Sequence, residues 1–525
     1  MRFIRLLAPI LAVLILLAMT QAPALIGSAQ RVQNAPTTQS AQNSPLPQDL
    51  QSMATVQNAQ NTAPTQDIQV ASAALSTLNP SPTNLLQTTR PPQKRNVPDQ
   101  TTTAADDSTA QNTTSEPAQT CAPLLTAAFA VDGTEKSSDS QTISSQTPGE
   151  NAVLVKNGGS LTLTNATIQK TGDAENTDQC DVYGLNSAVA ASGGSISISD
   201  SAVTSAAQGG NALIATGEDS AIDLGNVTLS TTGDSARGLD ATLGGTVTAS
   251  DVTISTTGAH SASLATGQGG GSVTVDKGTL TTSGDDSPLL YSTGSITGSN
   301  LTGTAAGSQM MVIEGKNSIS LTDSDLTGAG DIGVMLFRGD SGDATGGAAS
   351  LSAINCKLTA TSEGPFFYVT NTQAEATLAG STLTFSSGIL AQISGNNVSG
   401  WGAPGKNGGQ FTLCSVGQVL SGDVVVDAIS SFTLSLNDGS IYTGAVDVKN
   451  EGQSVNVTLD NNSSWTLTAD AHVDALTDAK ADLSNIESEG FTLYYDAQNP
   501  SNVWLNGKTI PLSGGGRLAP EASVS

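Results

Sequence analysis

Any catalytic chemistry in this chain would depend on carboxylates, because the sequence has 46 acidic residues but only two histidines. Cleavage of a glycosidic bond by a hydrolase needs two carboxylates at a defined separation. A polysaccharide lyase needs a base and usually a cation such as Ca²⁺, which neutralises the uronate. The candidate cluster for either reaction consists of Asp234, Arg237, Asp240 and Asp285.

The same four residues also have a structural interpretation, which the sequence favours. Most of the acidic residues in the repeat fall at turns, and a turn aspartate usually caps backbone groups. The paired-carboxylate motifs of polygalacturonase-like sites are missing, and only 19 residues are basic. We therefore predict no catalytic residue, no metal ligand and no cofactor, and keep Ca²⁺ only as a candidate for the lyase alternative. The sequence does not decide whether the protein is an enzyme, and it favours a protein without enzymatic activity.

The tripeptide Arg338, Gly339 and Asp340 is the second candidate site, and it lies in a long polar insertion, FRGDSGDATGGAAS. It resembles an integrin-recognition sequence, and loops on a rigid scaffold are where binding residues tend to lie. A coincidental polar loop is the interpretation that the sequence favours. A receptor-binding loop is the alternative.

The four cysteines suit an exported protein. Cys121 opens the region that we expect to fold, and Cys180 lies in an early insertion. We therefore predict a disulfide bond between these two that staples the N-terminal cap. Cys356 and Cys414 lie at different positions of the repeat and are predicted to be buried thiols.

These candidates lie on or beside a repeat that begins near residue 150. Its pattern is apolar, Thr or Ser, apolar, small, Asp or Asn, two variable residues and apolar, as in LTLTNATI and VTASDVTI. The base period is about 25 residues, with insertions in some periods. The copies start at Leu161, Ile196, Ile222, Val247, Val273, Ile296, Ile319, Leu351, Ala376 and Phe411.

Each period contains three short runs of alternating apolar residues bounded by Gly, Asn or Asp, which indicates three strands joined by turns. β-Branched residues dominate, and helical spacing is absent. One period cannot bury its own apolar face, so successive coils must stack. The pattern predicts an all-β fold: a right-handed parallel β-helix solenoid of ten or more coils, with three strands per coil. An array of β-sandwiches would need frequent hairpin signals and domain-length repeats, which the sequence lacks.

The predicted domain boundaries follow shifts in composition. The first segment has a basic start and an apolar core, which is typical of a secretory signal. The second is rich in Gln, Thr and Pro and cannot bury enough apolar surface to fold, so we predict a disordered stalk. The boundaries are 1–29 for the signal, 30–132 for the stalk, 133–414 for the β-helix, 415–512 for terminal coils and a cap, and 513–525 for a flexible tail.

The charge balance excludes two classes of partner. The formal net charge is −27, so the chain offers no electrostatic footprint for nucleic acid or anionic lipid. No stretch after the N-terminal segment is apolar enough to span a membrane, so membrane contact is predicted only through an uncleaved signal. We expect a protein that is secreted or held at a cell surface.

Two stretches resemble a known class of protein: residues 245–287, GTVTASDVTISTTGAHSASLATGQGGGSVTVDKGTLTTSGDDS, and residues 291–328. They look like exported bacterial β-helix proteins of the pectin-lyase-like superfamily, many of which are adhesin-like. The run NNSSWTLTAD at 461–470 is similar to late coils of autotransporter passenger domains, although we expect no C-terminal barrel of the autotransporter kind in this sequence. The resemblance implies a solenoid and no particular activity.

From the residues and this resemblance we expect an adhesin-like or structural surface protein without catalysis. Its partner would be an extracellular glycan or a host or cell-surface receptor. The alternative is a polysaccharide lyase or glycoside hydrolase that acts on an extracellular glycan. Clustering of the four candidate residues in one groove would favour the enzyme, and acids dispersed over turns would favour the adhesin.

Overall fold

The computed structural model describes residues 122–340 and 346–521 and shows a parallel β-solenoid of about 16 coils, which confirms the predicted fold class. These ranges contain one α-helix, α1 (Thr177–Tyr183), and one 3₁₀ helix (Pro500–Leu505). No helix within them is long and apolar enough to cross a membrane. The predicted signal, most of the predicted stalk and Cys121 lie outside the described residues.

The strands of successive coils stack into three faces, which we number in the order in which the chain runs through them. Face 1 is a twelve-stranded parallel sheet, continued at the C-terminal end by a four-stranded sheet. The twelve strands are Ala127–Asp132, Asn151–Lys156, Val189–Ser192, Leu213–Thr216, Leu239–Thr242, Leu264–Thr266, Leu290–Ser292, Met311–Glu314, Val334–Phe337, Phe367–Thr370, Ile389–Ile393 and Asp423–Val426. The four are Ala471–Val473, Thr492–Tyr495, Ile510–Pro511 and Arg517–Pro520.

Faces 2 and 3 meet at a bend, and in four coils one strand runs through both: Ser195–Ser205, Ala221–Thr231, Gly245–Thr256 and Gly271–Thr282. The other strands of face 2 are Glu135–Asp139, Ser160–Thr164, Ser295–Ser299, Ser318–Thr322, Ala348–Ile354, Gln373–Ala379, Gln410–Val416, Ser431–Asn437, Ser454–Leu459 and Ala475–Asp478. Those of face 3 are Thr142–Ser145, Thr167–Lys170, Thr302–Ala305, Asp325–Gly328, Lys357–Ala360, Thr382–Thr384, Val419–Ser421, Ile441–Thr443, Ser464–Thr466 and Ile486–Glu487.

The repeat predicted from the sequence corresponds to the register in which the strands of face 2 pair, so the starts of successive copies lie side by side. Leu161 pairs with Ile196, and the pairing continues through every predicted start as far as Ala376. At the last copy, Ala376 pairs with Leu413 rather than with Phe411. Because side chains alternate with a period of two, this shift of two residues keeps the same side chains in the core.

The Asp or Asn position of the repeat forms the bend between faces 2 and 3. Its residues have positive φ, 52° at Asn165 and 54° at Asn226, which Asn and Asp tolerate better than most residues do. The Asn226 amide donates to Asp200 Oδ1 at 2.8 Å, and the Asn165 amide donates to Asp139 Oδ1 at 2.9 Å. The residue type that bends the strand therefore also links neighbouring coils.

The recurring Thr-Gly pair marks the turn between face 3 and the next strand of face 1. A Cβ atom on Gly258 would lie 1.9 Å from the carbonyl oxygen of Gly233, and one on Gly284 would lie 1.8 Å from that of Gly258. No side chain fits there, which explains why glycine recurs. Beneath the turn, the buried Thr256 hydroxyl donates to the Ser261 carbonyl oxygen at 2.5 Å.

The core is a continuous column of inward Val, Leu and Ile, with aromatic rings in its later coils. Phe367, Phe411 and Phe432 follow one another with ring centroids 5.4 and 5.9 Å apart. In the first coil, Lys136 takes the position that Leu161 holds in the next. Its ammonium group donates to a backbone carbonyl and lies 5.0 Å from the Phe129 ring centroid, so a polar group covers that end of the core.

The solenoid extends beyond its predicted limits at both ends. Its first strand starts at Ala127, inside the segment predicted to be a stalk. The predicted flexible tail, 513–525, contains the strand Arg517–Pro520, which pairs with Thr492–Tyr495, and the antiparallel strand Ile510–Pro511 closes that edge. These last strands are too short for an alternating pattern to be visible in the sequence.

Asp474, in the terminal coils, provides a test of pH dependence. Burial, together with nearby Asp496 and Glu521, raises its pKa above the ordinary 3.8, although its Oδ2 accepts a hydrogen bond from the Val455 N–H at 2.6 Å. The folded state therefore holds a proton that the unfolded state has lost, so the free energy of unfolding rises as pH falls through the raised pKa. We expect Asp474→Asn, which keeps an acceptor oxygen, to reduce this rise in thermal unfolding measured between about pH 7 and pH 4.

The control is Asp482→Asn, because the pKa of that exposed carboxyl is lowered by hydrogen bonds from Ser484. A lowered folded pKa contributes stability that is lost as pH falls. The control should therefore change the pH dependence in the opposite direction, mainly below about pH 4, so the profiles of both variants are extended to about pH 3. An Asp474→Asn profile that is identical to the wild-type profile would contradict the raised pKa.

Candidate functional site

The outward side of face 1 carries a row of residues that strand register places one above another. The row consists of Leu154, Ala190, Ile214, Asp240, Ala265, Tyr291, Val312, Met335, Tyr368 and Gln392. Most of these residues are apolar, and the inward side chains of the same strands form the core, so both sides of face 1 need cover. Two insertions supply that cover, and the predicted site residues lie around them.

The first insertion places α1 over the early coils. Asn176 caps the helix by accepting a hydrogen bond from the Gln179 N–H at 3.1 Å. The carbonyl oxygen of Val182, near the end of the helix, accepts hydrogen bonds from the hydroxyls of Thr216 and Thr242 at 3.0 and 2.7 Å. These contacts fix the insertion across two successive coils of face 1.

Arg237 joins α1 to the outward side of face 1. Its Nη1 lies 2.7 Å from Asp240 Oδ2, and its Nη2 lies 3.5 Å from Asp181 Oδ2 in the helix. The Asp240 side chain is fully buried, and that of Arg237 is 14% exposed. Burial acts to lower the pKa of Arg237, but the two carboxylates outweigh it, so the pKa of the guanidinium is raised. The Arg237 guanidinium therefore stays protonated although it is largely shielded from solvent.

The structure brings together only part of the predicted carboxylate cluster. Arg237 and Asp240 meet, whereas Asp234 and Asp285 are exposed on the turn between faces 3 and 1. Asp234 Oδ1 accepts a hydrogen bond from the Ala259 N–H at 2.9 Å, which is the capping role expected of a turn aspartate. Register places Asp285 two coils from Asp234, roughly 10 Å away at one strand spacing per coil.

The second insertion, residues 394–409, covers the later coils. Its Trp401 is 3% exposed and packs on Phe337, with ring centroids 4.5 Å apart. Two buried asparagines hold the loop, because Asn396 Nδ2 and Asn407 Nδ2 both donate to the Trp401 carbonyl oxygen, at 3.2 and 3.0 Å. The apolar patch beneath the loop consists of Val312, Ile332, Met335, Phe337 and Tyr368.

The tripeptide Arg338, Gly339 and Asp340 lies at the edge of this second cover. Arg338 and Asp340 are exposed, whereas Gly339 is buried. The Gly339 N–H donates to Glu314 Oε1 at 3.2 Å, and the Asp340 N–H donates to the Gly400 carbonyl oxygen at 2.6 Å. The tripeptide backbone is therefore fixed against the solenoid.

A polar cleft of about 330 Å³ opens beside Arg338, at the turn between faces 1 and 2. Asn371 Nδ2 donates to the Arg338 carbonyl oxygen at 2.7 Å, and Gln373 Nε2 donates to Gln410 Oε1 at 3.2 Å. The described lining contains no carboxylate and consists of Arg338, Gly347, Asn371, Thr372, Gln373, Gly408 and Gln410.

These groups define what the cleft can do chemically. A guanidinium offers planar donors that match a carboxylate, and side-chain amides both donate and accept hydrogen bonds. The described lining residues include no Asp, Glu, His, Cys, Tyr or Lys that could act as a general acid or base. Across 122–340 and 346–521, no group of three or more His, Cys, Asp or Glu is arranged to hold a metal ion. The cleft is suited to binding a polar ligand.

The cysteines lie apart from this cleft. The buried Cys180 thiol donates to the Asn176 carbonyl oxygen at 3.3 Å, and burial raises its pKa to about 12. Its predicted partner, Cys121, lies outside the described residues, so the disulfide stays a prediction. Cys356 is buried as predicted, whereas Cys414 is only half-buried, and burial raises the pKa of both thiols.

No family model, curated protein or solved structure matches this chain. Sequence reasoning found Arg338 but missed Gln373 and Gln410, because an insertion separates their coils. The signal was present in the repeat, since each glutamine directly precedes the first inward residue of its strand, Ala374 and Phe411, which pair in register.

Arg237→Ala tests the structural role of the buried ion pair. Removing the guanidinium leaves the buried Asp240 carboxylate without that cation, which should lower the free energy of unfolding by about 3 kcal/mol. The control is Asp285→Ala, an exposed turn residue, which should change it by less than about 0.5 kcal/mol. Urea unfolding measures both values, and proteolysis within 173–187 reports whether α1 is released. Equally small effects of the two substitutions would show that Arg237 does not hold the insertion.

Proposed function

We propose that this protein is a secreted or cell-surface β-helix rod that binds an extracellular glycan without cleaving it. The observation that carries the proposal is the open cleft beside Arg338, whose described lining presents a guanidinium, amides and a hydroxyl but no carboxylate. The location outside the cell is taken from the signal-like N-terminal segment and from the resemblance to exported bacterial adhesin-like β-helix proteins. The acidic, aromatic-poor composition agrees with a soluble extracellular rod.

The side chains of the cleft suit sugar hydroxyls. Gln373 and Gln410 are both exposed and share one hydrogen bond. That bond leaves the Gln373 Oε1 acceptor and the Gln410 Nε2 donors for a ligand. A sugar hydroxyl both donates and accepts, so an adjacent acceptor and donor match it. Because the cleft opens on the side of a rod, it can take a sugar that belongs to a longer chain.

The backbone forms this cleft before any ligand binds. The Asn371 N–H donates to the Asn407 carbonyl oxygen at 2.9 Å, and the Gln410 N–H donates to the Thr372 carbonyl oxygen at 2.9 Å. Both bonds cross from one segment of the cleft to another. Preorganised groups lose little conformational entropy when a ligand binds, so a shallow site can still contribute useful affinity.

Catalysis is less well supported than binding. A hydrolase or lyase needs carboxylates that reach the substrate, and the Asp240 carboxylate is fully buried against Arg237. Asp234 and Asp285 are accessible, but they lie on the turn between faces 3 and 1, whereas the cleft lies between faces 1 and 2. Cleavage at that turn would not depend on the cleft. Substitutions in the cleft would therefore weaken glycan binding there without reducing cleavage, which distinguishes the two functions.

A protein receptor that recognises Arg338, Gly339 and Asp340 is the second candidate, because the Arg338 and Asp340 side chains are exposed. It has less support than the glycan, because Gly339 is buried and the backbone is bonded to Glu314 and Gly400. A receptor would meet two side chains on a fixed edge rather than a projecting tripeptide.

The test is protein retention and reducing-end release on a panel of insoluble polysaccharides. We expect retention without sugar release, and we expect Gln373→Ala with Gln410→Ala to weaken retention about tenfold, since about two neutral hydrogen bonds are lost. The matched control is Gln169→Ala, which removes an exposed glutamine from face 3. Sugar release that persists in the double variant would contradict the proposal and favour an enzyme. Loss of cell adhesion in Arg338→Ala, with no glycan retained by the wild type, would favour a receptor.

A further inference from the structure

Three of the chain's 19 basic residues lie in or near the cleft: Arg338 and Lys316 by contact, and Lys406 by its place in the sequence. Arg338 is part of the lining. The Lys316 side chain packs against Gly347, a lining residue, where a Cβ atom would lie 2.8 Å from Lys316 Cγ. Lys406 lies two residues before Gly408, which also lines the cleft. All three basic residues are exposed.

These three cations have no carboxylate partner within the described ranges, 122–340 and 346–521. The ion pairs of Lys and Arg in those ranges involve other residues: Lys156 with Asp132, Arg237 with Asp181 and Asp240, Lys277 with Asp251, and Lys357 with Asp325. In a chain with a net charge of −27, a cleft that is lined by Arg338, flanked by Lys316 and free of carboxylates among its described lining residues is a local site of attraction for an anion.

Acidic residues beyond the cleft limit how much negative charge its ligand can carry. Asp340 is exposed two residues after Arg338, and Glu375 is exposed two residues after Gln373. Residues two apart on a strand point to the same side, so Glu375 continues the outward surface on which Gln373 lies. A polyanion lying along the rod would bring its further charges towards these carboxylates. A ligand with one negative charge avoids that repulsion.

We infer that the cleft recognises a single carboxylate-bearing pyranose unit, with its carboxylate on Arg338 and its hydroxyls on Gln373 and Gln410. Arginine binds a carboxylate through two parallel charge-assisted hydrogen bonds, which are stronger than bonds between neutral groups. The cleft therefore selects an acidic sugar over the neutral sugar of the same shape. This inference rests on the proposed glycan-binding function and specifies its ligand class.

The test compares methyl β-glucuronide with methyl β-glucoside, which differ in having a carboxylate or a hydroxymethyl group. Titration of the full chain, followed by NMR, should show at least about tenfold tighter binding of the glucuronide. Arg338→Ala should remove this preference, and Arg338→Lys should keep part of it, because lysine retains the charge but not the planar fork. The matched control is Lys357→Ala, which removes an exposed cation from face 3 and should leave the preference unchanged.

Two further ligands define the source and number of charges. Sialyllactose carries its carboxylate on a different acidic sugar from the glucuronide. Whichever of the two ligands binds more tightly identifies the acidic sugar that the cleft prefers, and either result supports the inference. Binding to polygalacturonate that is much tighter per sugar than binding to the glucuronide would overturn the restriction to a single charge.

The outcomes also separate this inference from the function on which it rests. Equal affinity for glucuronide and glucoside would overturn the inference and leave glycan binding intact. The same holds if neither monosaccharide binds but a neutral insoluble glycan retains the protein. If no sugar binds and no glycan retains the protein, both the inference and the proposed function are wrong.

Discussion

In-register stacking of the coils is the constraint on which the rest of this structure depends. Each strand pairs with its counterparts in the neighbouring coils, so Leu161 lies beside Ile196 and no coil buries its core alone. The same register aligns the bends, where Asn226 reaches Asp200. Extra residues can leave the solenoid only at turns without breaking this pairing. The two large insertions do so, and both return over the outward side of face 1.

The repeat could be predicted because its physical basis is local. Alternation of side chains and the tolerance of Asn and Asp for positive φ are visible in a few adjacent residues, such as those around Asn165. The covers of face 1 could not be predicted in this way. The helix α1 has seven residues and no long apolar period, and Trp401 packs on Phe337 from a distant part of the chain. An outward apolar residue looks the same in sequence as an inward one until its cover is known.

The residues of the candidate site could likewise be predicted from the sequence only in part. Arg338 was identified from the sequence, but Gln373 and Gln410 join it only because the intervening insertion returns the chain to register. Nearness in sequence grouped Asp234 with Asp240, but Asp240 points outward from a strand of face 1 and is buried under α1, whereas Asp234 stays on an exposed turn. The insertions therefore determine which polar groups on the regular surface of the solenoid are exposed and which are covered.

Amide hydrogen exchange of the ligand-free protein tests most directly the central claim, that a rigid solenoid presents a preformed cleft. The amides of Asp340, Asn371 and Gln410 each donate to a carbonyl oxygen across the cleft or its cover. The account predicts that these amides exchange as slowly as those of the adjacent strand Phe367–Thr370, because they open only when the second insertion detaches or the coils separate. Fast exchange at these three amides, beside a protected strand, would contradict it.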